Sequence, residues 1–297
     1  MKHIENLAIE GGGIKGIVYI GCLKALNDLG ILPNIKRVVG TSVGSMVALF
    51  ASCNFTNDEF EKYSDIMIKD IEKTKFNPIK EGYNLYEHFG CHSNDVIQNM
   101  VEDILNEKFG KSDITFQQLY DLTNVELTVI GTCISDYKPY YFNYKTFPNM
   151  VVSLAIKIST ALPVFYEAVN YDDKLWVDGG VCDNFPIDYY DSMLLGGKTL
   201  GLSVTKDKED THEINNLEDY INAIITTGLL QIRRRNIENK DRRDIITFDM
   251  NDIPTTDFHL TEKQINEMKE LGYNKTMDQC NNSSKTVLSS LGLFKFW

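Results

Sequence analysis

Apolar positions alternate along the chain between short runs typical of strands and longer stripes typical of helices. A short apolar run at 7–9 precedes a helical pattern over 17–29, in which Ile20, Leu23 and Leu26 fall on one side. The pattern predicts further strands at 37–39, 126–134, 175–177 and 199–204, and further helices at 43–52, 94–109, 151–160 and 217–235. Such alternation favours an α/β fold with a mostly parallel central sheet flanked by helices.

The chain shows no linker and no internal repeat that would divide it. We therefore predict a single domain over 1–297, with its core at about 5–205 and helical additions at about 206–297. The N-terminus lacks the apolar core of a signal peptide, and no apolar run approaches the length of a membrane-spanning helix. We expect a cytoplasmic protein that reaches membranes, if at all, from their surface.

Charge and cysteine usage narrow the classes of partner. The net charge is −12, from 30 basic and 42 acidic residues. This balance argues against nucleic acid, whose binding rests on cationic contacts to phosphate, and weakens electrostatic docking on anionic membranes. The six cysteines are scattered singly, without a metal-binding spacing, and read as free thiols. We expect no metal and no cofactor.

The stretch EGGGIKG at 10–16 fits the G-x-G-x-x-G pattern of dinucleotide-binding loops. A dinucleotide site also needs an acidic residue at the end of the second strand, but that strand ends at Val39 and Gly40. A P-loop needs Lys and Ser or Thr after its last glycine, where this chain has Ile17 and Val18. We expect no nucleotide.

Glycine N–H groups at a strand-to-helix turn suit a developing oxyanion as well as they suit a phosphate. Gly11, Gly12 and Gly13 are the candidate donors. Lys15 either adds positive charge to such a site or holds the loop; the alternative is a solvated surface lysine.

The stretch GTSVG at 40–44 lies between a predicted strand and a predicted helix, as the nucleophile elbow G-x-S-x-G requires. The elbow lifts the hydroxyl of Ser42 clear of the sheet on a sharp turn, whose crowding requires the small neighbours Gly40 and Gly44. The helix that begins at Val43 would point its positive dipole end at the oxyanion. The alternative is a tight turn that only lets a helix pack close to a strand.

A serine nucleophile needs a base, which is usually a histidine. The order Ser, acid, His would nominate His212 or His259, but both lie in polar surroundings typical of solvated loops. Asp178 is the better candidate, because it ends an apolar strand and precedes two glycines in LWVDGG at 175–180. Its alternative role is that of a turn-forming aspartate.

In their order and spacing, these three stretches resemble the patatin-like phospholipases. EGGGIKG corresponds to that family's oxyanion loop, GTSVG to its nucleophile elbow and DGG at 178–180 to its D-G-G/A element. Two softer matches are STALPVF at 159–165 and DNFP at 183–186. Thr160 departs mildly from the family's usual Ala or Ser. The resemblance covers about 5–205, and the C-terminal third shows none.

The resemblance implies a three-layer α/β fold and a Ser-Asp dyad without histidine, with Ser42 as nucleophile and Asp178 as base. It also implies an oxyanion hole at Gly11, Gly12, Gly13 and Lys15, and an activity on acyl esters of phospholipids, lysophospholipids, galactolipids or neutral glycerides. Two alternatives stay open. One is a Ser-His-Asp esterase or acyltransferase that uses His212 or His259. The other is a non-catalytic storage or binding protein of the same fold.

A lipid substrate implies work at a membrane or micelle surface. With a negative net charge, adsorption would rest on exposed apolar side chains. Candidates are 76–92, with Tyr83, Leu85, Tyr86 and Phe89, and 291–297; both could equally pack on the core. The basic cluster at 233–243 either meets lipid phosphates or pairs with neighbouring acids.

Overall fold

The computed structural model describes residues 4–72, 78–193, 195–204, 245–250 and 260–290, together with single residues between 214 and 231. Side chains are described within these ranges except at 69–72, 78–82 and 282–290. Most of the helix predicted over 217–235 lies outside the described residues, as do the basic cluster at 233–243, the C-terminal stretch 291–297, His212 and His259.

The described strands are three to eight residues long. In chain order they are β1 (Ile4–Ile9), β2 (Arg37–Thr41), β3 (Gly90–His92), β4 (Glu126–Cys133), β5 (Lys138–Phe142), β6 (Val164–Tyr166), β7 (Val169–Tyr171), β8 (Lys174–Asp178), β9 (Lys198–Ser203) and β10 (Ile245–Thr247).

The helices connect the strands and cover the sheet. They are α1 (Val18–Asp28), α2 (Val43–Ser52), α3 (Asn57–Glu72), α4 (Pro78–His88), α5 (Asp95–Phe109), α6 (Phe116–Thr123), α7 (Val152–Ser159), α8 (Gly180–Asp183), α9 (Tyr189–Ser192) and α10 (Glu262–Ser290), with 3₁₀ turns at Gly13–Ile17 and Leu32–Asn34.

The main sheet has a parallel part and an antiparallel part. Strands β10, β9, β1, β2 and β4 lie side by side in that order and run parallel. Both β5 and β8 pair antiparallel with β4, and β7 pairs antiparallel with β8. A separate two-stranded parallel sheet joins β3 to β6.

Alternate residues of the central strands enter different apolar clusters. In β1, Leu7 and Ile9 belong to the large core, whereas Ala8 belongs to a smaller cluster with Phe185 and Tyr190. Successive side chains of a strand point to opposite faces, so both faces of the sheet are covered. The large core holds α1, α2, α5 and α7, and the smaller cluster is formed by the chain around α9.

The long helix α10 packs closely on α1. A Cβ atom at Gly21 would lie 1.9 Å from the carbonyl oxygen of Lys269, and one at Gly272 would lie 1.9 Å from that of Val18. The buried Lys269 side chain also forms ion pairs with Glu61 of α3 at 2.6 Å and with Asp65 at 2.9 Å. These contacts tie the C-terminal part of the chain to its first helix.

The expected α/β fold with a mostly parallel central sheet is confirmed. The helix predicted over 17–29 differs at its start, where a 3₁₀ turn at Gly13–Ile17 leads into α1. Gly13 begins that turn with a φ of 55°, a conformation that glycine adopts without strain. The single-domain organisation stays a prediction. No described helix is both long and apolar enough to cross a membrane.

Candidate active site

The strand register brings the ends of β2 and β8 together. Thr41 at the end of β2 is opposite Ile130 of β4, and Asp178 at the end of β8 is opposite Gly131. Strand β5 occupies the other edge of β4, because Ile130 and Gly131 each pair with it as well. Strands β2 and β8 therefore run toward each other along one edge of β4, and their carboxyl ends meet.

Ser42 lies at this junction in a strained turn between β2 and α2. Its φ of 54° and ψ of −130° are rare for a residue with a side chain, and such strain is typical of functional sites. The turn is as crowded as the sequence predicts. A Cβ atom at Gly40 would lie 2.1 Å from the carbonyl oxygen of Gly44, and one at Gly44 would lie 2.5 Å from that of Ile9.

Asp178 is buried and lies beside Ser42. Its carboxyl interacts with the Ser42 side chain and accepts the Gly180 N–H at 2.7 Å. Burial raises the pKa of the Asp178 carboxyl from its ordinary value of 3.8 to about 7, although the two hydrogen bonds act to lower it. A carboxylate with this pKa exchanges protons readily near neutral pH.

Ser159, at the end of α7, holds the backbone of the nucleophile. Its buried Oγ accepts the backbone N–H of Ser42 at 3.0 Å. Ala161, two residues after Ser159, binds Asp178: its carbonyl accepts the Asp178 N–H at 2.8 Å. The softer motif STALPVF thus contacts both members of the Ser42 and Asp178 pair. The sequence identified the segment without indicating this role.

The glycine loop lies beside Ser42. A Cβ atom at Gly11 would lie 3.1 Å from Cβ of Ser42 and 2.4 Å from Oδ1 of Asn184. Asn184 holds this part of the loop with two hydrogen bonds: its Nδ2 donates to the Gly11 carbonyl at 3.1 Å, and its own carbonyl accepts the Gly11 N–H at 3.0 Å. Asn184 is therefore a second residue whose role the sequence did not indicate.

That bond changes the expected set of oxyanion donors. The N–H of Gly11 is already engaged with Asn184, which differs from the expectation that it faces an oxyanion. Gly12 and Gly13 follow at the start of the 3₁₀ turn that leads into α1. Their position at a helix start keeps them as candidate donors.

Lys15 is half-buried and interacts with Glu10. Burial lowers the pKa of the Lys15 ammonium group, and the charge of Glu10 acts to raise it. Glu10 itself is fully buried, and its Oε2 accepts hydrogen bonds from Ser203 Oγ at 2.6 Å and from the Val204 N–H at 3.0 Å. Lys15 is thus partly buried, and its charge interacts with that of Glu10.

Two histidines, His88 and His92, lie within the described residues. His92 of β3 packs its ring against Phe165 with centroids 5.0 Å apart, and His88 is exposed at the end of α4. Within the described ranges, no group of three or more His, Cys, Asp or Glu side chains is arranged to hold a metal ion.

A family model described as patatin-like phospholipase matches residues 7–191, which is more than half of the chain and includes all three motifs. The chain belongs to the patatin-like phospholipase family. The uncharacterized protein R571 of Acanthamoeba polyphaga mimivirus is 30% identical to this patatin-like protein over 296 residues, which cover 94% of each chain. The probable lipid hydrolase 463L of Invertebrate iridescent virus 6 is 27% identical over 192 residues, which cover 63% of each chain.

Solved structures agree on the fold. The crystal structure of VipD from Legionella pneumophila matches this patatin-like chain with a TM-score of 0.57, covering 95% of this chain and 67% of VipD. The sequence identity is 17%, so the likeness speaks to the fold alone. The resemblance inferred from the three motifs is confirmed at the level of family and fold.

Proposed function

We propose that this patatin-like protein hydrolyses fatty acyl esters of lipids, as a phospholipase A or lysophospholipase, with Ser42 as nucleophile and Asp178 as base. The observation that carries the proposal is the strand register that brings Ser42 and the buried Asp178 together at the meeting point of β2 and β8, where their side chains interact. A pKa of about 7 suits Asp178 to accept a proton near neutral pH and to return it.

In the acylation step, Oγ of Ser42 attacks the carbonyl carbon of the ester while its proton passes to Asp178. The carbonyl oxygen becomes an oxyanion, which the N–H groups of Gly12 and Gly13 and the start of α2 stabilise. The tetrahedral intermediate collapses, the bond to the leaving alcohol breaks, and Asp178 returns the proton to that alcohol. Ser42 is left as an acyl ester.

Deacylation repeats these steps with water. Asp178 takes a proton from a water molecule, whose oxygen adds to the acyl carbon. Collapse of the second intermediate releases the fatty acid, and the proton returns from Asp178 to Oγ of Ser42. In this scheme Asn184 and Lys15 hold the glycine loop and do not touch the substrate.

The substrate class is tested by digestion of mixed lipids, followed by mass spectrometry of the products. We expect free fatty acid and lysophospholipid from the wild-type protein and none from Ser42→Ala. The matched control is Ser52→Ala, which removes another buried hydroxyl from α2. Products from neutral glycerides alone would replace the phospholipase assignment with a glyceride lipase, and transfer of the acyl group to an added alcohol would indicate an acyltransferase.

The alternative bases are tested separately. The double variant His212→Ala/His259→Ala is expected to keep its activity, because the proposed dyad uses no histidine. Loss of hydrolysis in a folded double variant would favour the Ser-His-Asp esterase. Failure of a fluorophosphonate probe to label Ser42 would favour a non-catalytic protein of the same fold.

A further inference from the structure

Helix α4 ends in a cluster of exposed apolar side chains. Tyr83, Leu85, Tyr86 and Phe89 are 63%, 37%, 81% and 59% exposed, respectively. Tyr83 and Tyr86 are three residues apart in α4, a spacing that places their side chains on one side of the helix, and Phe89 follows directly after the helix ends at His88. We refer to these four residues as the aromatic ridge. Apolar side chains gathered on a surface mark a site of interaction.

The ridge is held to the body of the protein. Asn84 faces inward, where its Nδ2 donates to the carbonyl of Cys91 at 3.2 Å. The next contact is a hydrogen bond of 3.1 Å from the Ala168 N–H to the His88 carbonyl. Phe89 has a φ of 60°, which is strained for a bulky residue and persists only where the surroundings impose it. The backbone at Phe89 is therefore held by the structure around it.

The same contacts place the ridge near the catalytic pair. Gly90, which follows Phe89, pairs with Val164 of β6. Three residues earlier along that chain is Ala161, whose carbonyl accepts the Asp178 N–H. Strand spacing and chain length limit the path from Phe89 to Asp178 to roughly 20–25 Å. The ridge is thus joined by one strand pair to the segment that supports the dyad.

The charges near the ridge indicate which lipid head groups it would bind. Residues 83–92 contain one acidic side chain, Glu87, and no lysine or arginine, within a chain of net charge −12. Such a surface gains nothing from anionic head groups. Tyrosine and phenylalanine, by contrast, suit the boundary between lipid and water, because tyrosine combines an apolar ring with a polar tip.

We propose that the aromatic ridge docks this protein on a zwitterionic lipid surface and so presents the neighbouring catalytic site to its substrate. The proposal rests on the proposed lipid hydrolase activity, because an enzyme with that activity must meet a lipid surface near its active site.

The first test is co-sedimentation of the full chain with phosphatidylcholine vesicles, in a Ser42→Ala background that leaves the lipid intact. The ridge variant is Tyr86→Gln/Phe89→Asn, since glutamine suits a helix and asparagine tolerates the positive φ of position 89. We expect its partition coefficient to fall at least about tenfold. The matched control is Leu122→Gln, which removes a side chain of 57% exposure at the end of α6, before β4 begins.

A second variant gives a positive signal that does not depend on loss of binding. Tyr86→Trp keeps an aromatic ring in the ridge, and lipids with brominated acyl chains quench the fluorescence of a tryptophan that enters the membrane. We expect the added fluorescence of Tyr86→Trp to be quenched and that of Leu122→Trp to be unaffected. Equal quenching at both positions would overturn the proposal.

Activity separates docking from catalysis. With Ser42 present, Tyr86→Gln/Phe89→Asn is expected to hydrolyse a short-chain, water-soluble ester at the wild-type rate and vesicles at least about tenfold more slowly. Equal loss on both substrates would mean that the segment supports the site, and the proposal would fail. If the wild-type chain hydrolyses no ester but still binds vesicles through the ridge, the proposed function fails and the docking surface stands.

Three further outcomes would overturn the ridge assignment. The first is that Tyr86→Gln/Phe89→Asn binds vesicles as well as the control does. The second is that binding requires added phosphatidylserine and is lost in high salt. The third is that the wild-type protein is a dimer in solution and that this variant is a monomer.

Discussion

At the scale of single residues, Ser159 shows how the nucleophile is positioned. Its Oγ, which is buried, is the acceptor for the Ser42 N–H, a donor that lies in a strained turn. Ser159→Ala would leave that donor unsatisfied, at a cost of about 1–3 kcal/mol. Ser159 therefore acts as a positioning residue that does not touch the substrate.

We therefore expect Ser159→Ala to lower kcat about tenfold to a hundredfold while leaving KM for a short-chain ester nearly unchanged. The matched control is Ser153→Ala on the same helix, which removes an equally buried hydroxyl bonded to Glu102 at 2.9 Å. Both variants should lower the melting temperature, but only Ser159→Ala should slow labelling of Ser42 by a fluorophosphonate. Equal labelling rates would reduce Ser159 to a structural role.

At the scale of elements, the close crossing of α10 and α1 depends on two glycines. A Cβ atom at Gly21 would lie 1.9 Å from the Lys269 carbonyl oxygen and 2.7 Å from the Tyr273 nitrogen, both of which are backbone atoms that cannot move alone. We expect Gly21→Ala to lower the free energy of unfolding by at least about 2 kcal/mol.

Chemical denaturation of Gly21→Ala measures that loss. Its control is Gly228→Ala, at a helical position where an added Cβ atom meets nothing within 4 Å and should be neutral or slightly stabilising. If the two substitutions change stability alike, the tight packing of α10 on α1 is not a feature of the folded protein.

The sequence anticipated elements whose cause is local. The helix predicted over 43–52 has the same bounds as α2. The prediction rests on a local pattern, because an apolar run follows the small residues of the elbow. The approach of Asp178 to Ser42 is different. It depends on β8 running antiparallel along the same edge of β4 as β2, which no periodicity reveals.

Contacts between distant parts of the chain were likewise hidden. Ser159 and Ser42 are 117 residues apart, and Asn184 and Gly11 are 173 apart. The family resemblance identifies the segments 159–165 and 183–186, but it does not predict these hydrogen bonds. A hydrogen bond between two distant elements leaves no local pattern in the sequence. The same applies to the engagement of the Gly11 N–H, which followed from the position of the Asn184 carbonyl.

At the scale of the whole molecule, the buried Asp178 carboxyl links stability to pH. Its pKa is raised from 3.8 to about 7 in the folded protein, so folding favours the protonated form. The contribution is fully present below pH 3.8 and is lost as pH rises through about 7. The loss amounts to a few kcal/mol, since each pKa unit corresponds to about 1.4 kcal/mol.

Asp178→Asn cannot ionise, and its amide oxygen can still accept the Gly180 N–H. We expect the stability of Asp178→Asn relative to wild type to increase steadily from pH 4 to pH 8, as measured by thermal unfolding. Asp183, whose burial raises its pKa to about 6, titrates in the same window but is present in both proteins, so its effect cancels in the comparison. A stability difference that does not change with pH would contradict the raised pKa of Asp178.

The central claim is that Asp178 is the base for Ser42. The most direct measurement is the pH dependence of kcat/KM for a short-chain ester in wild type, Asp178→Asn and the exposed control Asp103→Asn on α5. We predict that kcat/KM of wild type and Asp103→Asn rises with pH through about 7, because the base must be ionised, and that folded Asp178→Asn loses at least about a hundredfold in rate at pH 8. A folded Asp178→Asn protein with the rate and pH profile of wild type would contradict the account.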